Sequence, residues 1–325
     1  MRSLAVAAAL AATSLLQVGE VQADADRDAA DWLDRIYSAS EHLSYRGTFV
    51  YQHDDEVETS RITRVVDQGG VHERLEALDG TPREIIRVND ELKCYLPAQM
   101  TVKVERGAGV KPFPFRGAGA GGIADQYEIR KGGVERAAGR DCQAIILVPK
   151  DNLRYGQKLC ADMETGLLVT AKSWNERGKM VERFSFTQLT IGEPIDKELL
   201  RSRYPGSGGG WRIEDHAAAA IDLEELGWKV NDLPAGFRRV TTLRRDAESG
   251  HAVDQIVVSD GLAAVSVFIA PVSPKAEQPQ LGPSRKGAVN VFTRQVEDYL
   301  VTAVGEVPGE SVRLIAGAVE RRTPR

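Results

Sequence analysis

The sequence predicts an α+β protein dominated by antiparallel β-structure, and three observations carry that expectation. An amphipathic stretch near the start gives way abruptly to residues that alternate with period two. Strand-like runs then follow one another with Gly, Asn, Asp and Pro turns between them and no strand–helix alternation. A Gly-rich break after position 200 separates this region from a second, shorter set of strands closed by a helical pattern. The 325 residues suffice for about two domains at ~100–200 residues each. Charged residues at 27% and hydrophobic ones at 42% exclude a disordered, collagen-like or polytopic membrane chain. Lys and Arg number 42 against 47 Asp and Glu, and a net charge of -5 offers no drive toward a phosphate backbone, so no nucleic-acid partner is expected.

Residues 1–23 read as a cleaved signal peptide, with Arg2 before an apolar run from Leu4 to Leu16 and a small-residue cleavage site ending at Ala23. That run is too short for the roughly 20 residues a spanning helix needs. An exported protein is expected. From Asp26 to Leu43 the apolar positions Ala29, Trp32, Leu33, Ile36 and Tyr37 recur at three- and four-residue steps, which predicts a helix. Tyr45, Gly47, Phe49 and Tyr51 then alternate with polar or outward positions and begin a strand. Further strands are predicted at RITRVV, VHERLEAL, EIIRVN, LKCYLP, TVKVE, YEIRK, CQAIILV, GQKLCA, LLVTAKSW and MVERFSFTQLTI, as one large meander. A flexible linker is expected over 201–211, RSRYPGSGGGW. The first domain is therefore set at 24–200 and the second at 212–325. The second has strands at FRRVTTL, QIVVSD, LAAVSVFIA, AVNVFTRQ and LVTAVGEV, and a closing helix with Val312, Ile315, Ala316 and Val319 on one face.

An oxidising compartment makes the three cysteines candidates for a bridge. Cys142 and Cys160 flank Pro149-Lys150-Asp151-Asn152 in one predicted hairpin, and this placement predicts a disulfide between them, with buried free thiols as the alternative. Cys94 is then the odd one.

Catalytic and metal signatures are missing from the pattern. His42, His53, His72, His216 and His251 are scattered with no HExxH spacing, and neither GxSxG nor SxxK occurs, so no enzyme, metal or cofactor is expected. The stretch GAGVKPFPFRGAGAGG at 107–122 lacks the GK[ST] of a phosphate loop and reads as a surface loop, with Phe113 and Phe115 placed to act as a flap. Arg238-Arg239 and Arg244-Arg245 offer either a basic patch or a solvated strand face. Trp32, Ile36, Phe49 and Tyr51 crowd the first helix and strand, which fits either an apolar cavity for lipid tails or ordinary core packing.

The strings WLDRIYSASEHLSYRGTFVYQ, LRYGQKLCADMETGLLV, GWKVNDLPAGF, SDGLAAVSVFI, GAVNVFTR and VTAVGEVP resemble the periplasmic sigma-E regulatory family (RseB/MucB), over nearly the whole chain beyond the signal segment. The resemblance implies a lipoprotein-carrier-like half-barrel sheet with covering helices, followed by a smaller α+β domain that takes a major part in holding a partner. It implies a negative regulator of the envelope-stress sigma-factor pathway that binds the periplasmic segment of a transmembrane anti-sigma factor and shields it from proteolysis. Release by lipopolysaccharide or lipoprotein acyl chains is implied as well. On that reading Asp260, Gly261, Leu262, Val265, Val267 and Phe268 are the candidate partner-binding residues. A periplasmic lipid or lipoprotein carrier is the alternative function, and the sequence leaves a homo-oligomer open.

Overall fold

The computed structural model describes residues 28–106, 122–246, 252–272 and 280–322. The signal segment, loop residues 107–121 with Phe113 and Phe115, and His251 lie outside the described residues.

Helix α1 (28–42) buries Ala29, Trp32, Leu33, Ile36 and Ala39, the stripe that its three- and four-residue spacing places on one side. The chain then runs through β1 (Tyr45–His53), β2 (Glu56–Asp67), β3 (Gly70–Ala77), β4 (Glu84–Val88), β5 (Glu91–Leu96) and β6 (Thr101–Arg106). After the single turn α2 (Ile123–Gln126) come β7 (Tyr127–Ala137), β8 (Arg140–Pro149), β9 (Gly156–Asp162), β10 (Leu168–Trp174) and β11 (Met180–Ile191). These strands form an open, half-barrel antiparallel sheet in the order β7-β8-β9-β10-β11-β1-β2-β3-β4-β5-β6. The expected single meander is thus corrected to two meanders joined where β1 pairs with β11. The seam is aromatic: Phe49 lies opposite Phe186 and Tyr51 opposite Phe184, with the Phe49 and Phe184 rings 5.0 Å apart. Burying these rings together is worth more than leaving β1 at an edge.

Helix α1 packs Trp32, Leu33 and Ile36 on Ile129, Ile145, Leu147 and Leu159 of β7, β8 and β9. Its C-terminal end is tied to the sheet by Arg64, which is 1% exposed, hydrogen-bonds the Glu41 carbonyl at 3.1 Å and pairs with Glu73. Burial pushes the neighbouring Tyr45 phenol well above its usual range, and the Glu73 charge pushes in the same direction.

Residues 201–211 carry no regular element, as Gly and Pro dictate, but their first half is anchored. Ser202 Oγ donates to Glu84 at 2.8 Å, the Arg203 amide donates to the same carboxylate at 3.1 Å, and Tyr204 packs beside Trp211 at 5.9 Å. Strand β12 (Arg212–Ala220) first runs parallel to β6, Arg212 opposite Thr101, and then pairs with β14 (Arg238–Asp246) from Ala218 onward. One strand therefore belongs to both sheets. The second sheet continues through β15 (Ala252–Ser259), β16 (Ala264–Pro271), β19 (Tyr299–Gly305), β18 (Val289–Val296) and β17 (Gly282–Lys286). A two-stranded ladder of β13 (Trp228–Val230) and β20 (Val319–Arg321) stands beside it. Helix α3 (Gly309–Gly317) buries Val312, Ile315 and Ala316 in this domain's core. Val319, expected on that helix face, is instead in β20, because the helix ends at Gly317; it stays buried in the same core.

Cys142 and Cys160 form a disulfide across β8 and β9, with Cα atoms 5.4 Å apart. They are diagonal rather than opposed, since Cys160 faces Ala144 and Cys142 faces Asp162. Beside the bridge, buried Asp162 accepts from Arg140 at 2.6 Å and from the Thr165 hydroxyl at 2.7 Å. Burial alone would raise the Asp162 carboxyl; the Arg140 and Thr165 hydrogen bonds outweigh it and hold the group below its usual value.

Two outcomes follow. Replacing both bridge cysteines by Ser should lower the unfolding free energy by about 3 kcal/mol, the loop-closure value for a bridge of this span. Urea denaturation of the unreduced protein checks this, and an unchanged midpoint would contradict it. A carboxyl depressed in the folded state stabilises above its unfolded value and loses that contribution as pH falls through the folded one. Asp162→Asn should therefore be less stable than the parent at neutral pH and show a flatter loss of stability below the ordinary carboxylate value of 3.8.

Candidate functional site

A cavity of about 550 Å³ lies where the half-barrel faces the second domain. Its first wall follows from register: Tyr51 opposes Phe184, Phe184 opposes Ala171, and Ala171 opposes Leu159, so one sheet face presents a continuous apolar row. Phe49, Leu75 and Ile85 extend it. The second wall comes from Leu262, Ala263, Phe268, Val289 and Val304. A few polar groups interrupt the walls. Glu182 accepts from the Tyr51 hydroxyl at 2.6 Å and from Ser173 Oγ at 2.8 Å, while Glu58 and Arg83 pair at 3.7 Å. A space of this size with a mainly apolar lining, to which Ser60, Gln157, Ser266 and Glu306 also contribute polar groups, is the form of a small-ligand site.

The two walls are held together by the tip of the β8–β9 hairpin, residues 150–155. Arg154 and Asp260 both have fully buried side chains and meet at 2.7 Å. The same guanidinium also pairs with Asp151, donates to the Ala235 carbonyl, and lies 4.8 Å from the Phe237 ring centroid. Tyr127 donates its hydroxyl to Asp260 at 3.3 Å; burial pushes this phenol far up and the Asp260 charge adds to the shift, so it remains a donor. On either side of Arg154, the Leu153 carbonyl accepts from Ser311 Oγ at 2.6 Å and the Tyr155 hydroxyl accepts from Asn290 Nδ2 at 2.9 Å. Gly236 has φ +82°, and a Cβ there would fall 2.5 Å from Gln126 Cγ, so only glycine permits this approach.

The residues singled out from the sequence are divided among several places. Phe49 and Tyr51 line the cavity, whereas Trp32 and Ile36 are in the helix-on-sheet core. Asp260 is the buried half of the interdomain pair and Gly261 is buried in the turn after it. Leu262 and Phe268 line the cavity, and Val265 and Val267 are wholly buried in the second domain's core. Arg244 is paired with Asp254 at 2.7 Å and Arg245 with Glu105 at 3.2 Å, so these arginines form internal pairs rather than an open basic patch. His53 lies against Gly287 of the second domain and 3.5 Å from Glu56. Arg154, Tyr127 and Glu182 were not anticipated. The signal for Arg154 was available, because Leu153 and Tyr155 are large apolar residues in a hairpin tip, where exposed turns favour small polar ones.

The fold and its shared cavity define a two-domain, β-rich binding protein. Residues 28–204 match the MucB/RseB N-terminal domain and residues 222–320 the MucB/RseB C-terminal domain. The sigma factor AlgU regulatory protein MucB of Pseudomonas aeruginosa is 34% identical over 304 residues, spanning 91% of this chain and 90% of that protein. The sigma-E factor regulatory protein RseB of Haemophilus influenzae is 23% identical over 308 residues, spanning 94% and 96% respectively. Among solved structures, the P. aeruginosa MucA/MucB complex aligns with a TM-score of 0.70 at 30% identity, covering 91% of this chain and 100% of that one. A crystal structure of MucB in complex with MucA(peri) aligns with a TM-score of 0.67 over the same shares. The chain belongs to the MucB/RseB family, whose named members here are sigma-factor regulatory proteins.

Cys94 is the free thiol, on the same sheet face as the cavity residue Ile85 opposite it. Burial pushes this thiol above its usual value. Alkylation of Cys94 by iodoacetamide at neutral pH should be slower in the folded protein than in urea, since a thiol pushed up by burial holds less of the reactive thiolate. Equal rates, read by mass spectrometry, would contradict the placement.

Proposed function

We propose that the protein is a periplasmic negative regulator of an envelope-stress sigma-factor pathway. It holds the periplasmic segment of a transmembrane anti-sigma factor, shields that segment from proteolysis, and responds to lipid-bearing envelope material through the cavity. The observation that carries this reading is that the cavity has one wall from each domain, so its occupancy and the arrangement of the domains are physically linked. Family membership supports the partner class, and the MucB structures solved with MucA support a bound periplasmic segment. The second domain, 212–325, supplies the larger part of the docking surface. The signal segment 1–23 is removed on export.

A carrier of lipid or lipoprotein is the competing reading, and the apolar cavity favours it. Against it stands the second wall, since a carrier that works through a half-barrel alone has no use for Leu262, Phe268 and Val289.

Calorimetric titration of the anti-sigma factor's periplasmic segment onto the full chain tests the proposal. Binding should weaken at least about tenfold, or ~1.4 kcal/mol, when a triacylated lipopeptide is present. Ala171→Trp, which fills the cavity from the sheet wall, should leave segment binding intact and abolish the lipopeptide effect. Absence of segment binding would refute the regulatory reading, and unchanged affinity with lipopeptide would refute the sensing role.

A further inference from the structure

The Asp260 carboxylate divides its two oxygens between two tasks. Oδ2 receives Arg154 at 2.7 Å and Tyr127 at 3.3 Å, which joins the domains. Oδ1 receives the backbone amides of Leu262 at 3.0 Å and Ala263 at 2.8 Å, which shapes the turn that follows. Ser259 braces the same turn, accepting from the Gly261 amide at 3.0 Å and donating to the Ala263 carbonyl at 2.7 Å. Gly261 itself sits at φ +104°, where a side chain would be strained. So short and so fully bonded a turn moves as one piece.

Its far end is the cavity wall. Leu262, Ala263 and Ala264 line the cavity, and Leu262 also packs on the first domain's core cluster that contains Leu159 and Leu168. Those two leucines are themselves cavity residues. An apolar chain lying along them takes the surface that Leu262 covers, and displacing Leu262 displaces the carboxylate that holds Arg154.

We propose that the 259–264 turn is the coupling element of the protein: an acyl chain entering the cavity at Leu262 withdraws Asp260 from Arg154 and loosens the second domain from the β8–β9 hairpin. The proposal rests on the cavity reading given above and adds the residues that transmit occupancy. Coupling between two equilibria is reciprocal. Breaking the latch must therefore tighten acyl-chain binding by the factor with which the chain weakens the latch.

Two readouts on the full, disulfide-bonded chain test it: the affinity for stearate carrying an anthroyloxy fluorophore, and the separation of nitroxide labels on Gln68→Cys and Asp298→Cys in a Cys94→Ser background. In the parent, the probe should bind and the separation should increase. The double variant Arg154→Met/Asp260→Asn, in which the Asn carbonyl still serves the turn amides, should show the larger separation without probe and bind it at least about tenfold tighter, or ~1.4 kcal/mol. Leu262→Ala removes the side chain that the acyl chain would displace and keeps the ion pair, so the probe should leave its separation unchanged whatever its affinity. Parent-like affinity in the double variant, or probe binding to the parent with an unchanged separation, overturns the coupling while leaving the cavity reading standing. No probe binding to any chain overturns both. If the double variant does not fold, Leu262→Ala against the parent decides, because a probe-induced change that survives in Leu262→Ala overturns the proposal.

Discussion

The buried pair of Arg154 and Asp260 is the constraint on which the arrangement of this molecule depends. Two charges with fully buried side chains carry a desolvation penalty of several kcal/mol each, which only close pairing and saturated hydrogen bonding offset. Here the guanidinium also meets Asp151 and the Ala235 carbonyl, and the carboxylate meets Tyr127 and two turn amides. Separating the domains takes Asp260, the Ala235 carbonyl and the Phe237 ring from Arg154 and takes Arg154 and Tyr127 from Asp260, while Asp151 and the turn amides stay with their own domains. Because separation returns both charges to water, the pair fixes the docked geometry more than it adds net stability, whereas removing one member alone would leave the other buried and unpaired at a cost of about 3–5 kcal/mol.

The hairpin that carries Arg154 is built to transmit this constraint. The Cys142–Cys160 bridge and the Asp162–Arg140 pair stiffen its base, and the α1 helix packs on Ile145, Leu147 and Leu159 along its length. Its tip then engages the second domain at Leu153, Arg154 and Tyr155. Meanwhile β12 gives the two sheets a common strand, so the domains are connected both covalently and through a continuous ladder. The cavity is the space these two connections leave between the sheet and the second domain.

Much of this was legible in the sequence where local periodicity decides. Helix α1, the long strands β8 and β11 and the cysteine hairpin follow from spacing alone, because burying one face requires that spacing. What periodicity does not carry is partner choice. The pairing of β1 with β11 joins residues more than a hundred positions apart, and the edge-strand alternative has the same alternation. For the same reason Trp32 and Phe49 looked alike in the sequence, though Trp32 packs between helix and sheet while Phe49, buried in the aromatic seam, also borders the cavity. Asp260 was picked out as a partner-binding residue by the string around it; in this chain its side chain is buried against Arg154. Its partner Arg154 sits in a turn, where a charged residue ordinarily faces water, and only the large neighbours Leu153 and Tyr155 set that turn apart.

The central claim is that the 259–264 turn, through Asp260 and Arg154, latches the second domain onto the β8–β9 hairpin. Amide hydrogen exchange of that turn measures it directly. The Leu262 and Ala263 amides, bonded to a buried carboxylate, should exchange as slowly as those of the β8 core strand in the free protein, and a cavity ligand should speed them selectively. Exchange of these two amides at the rate of an exposed loop, with β8 still protected, would show that the domains are not latched and would contradict the account.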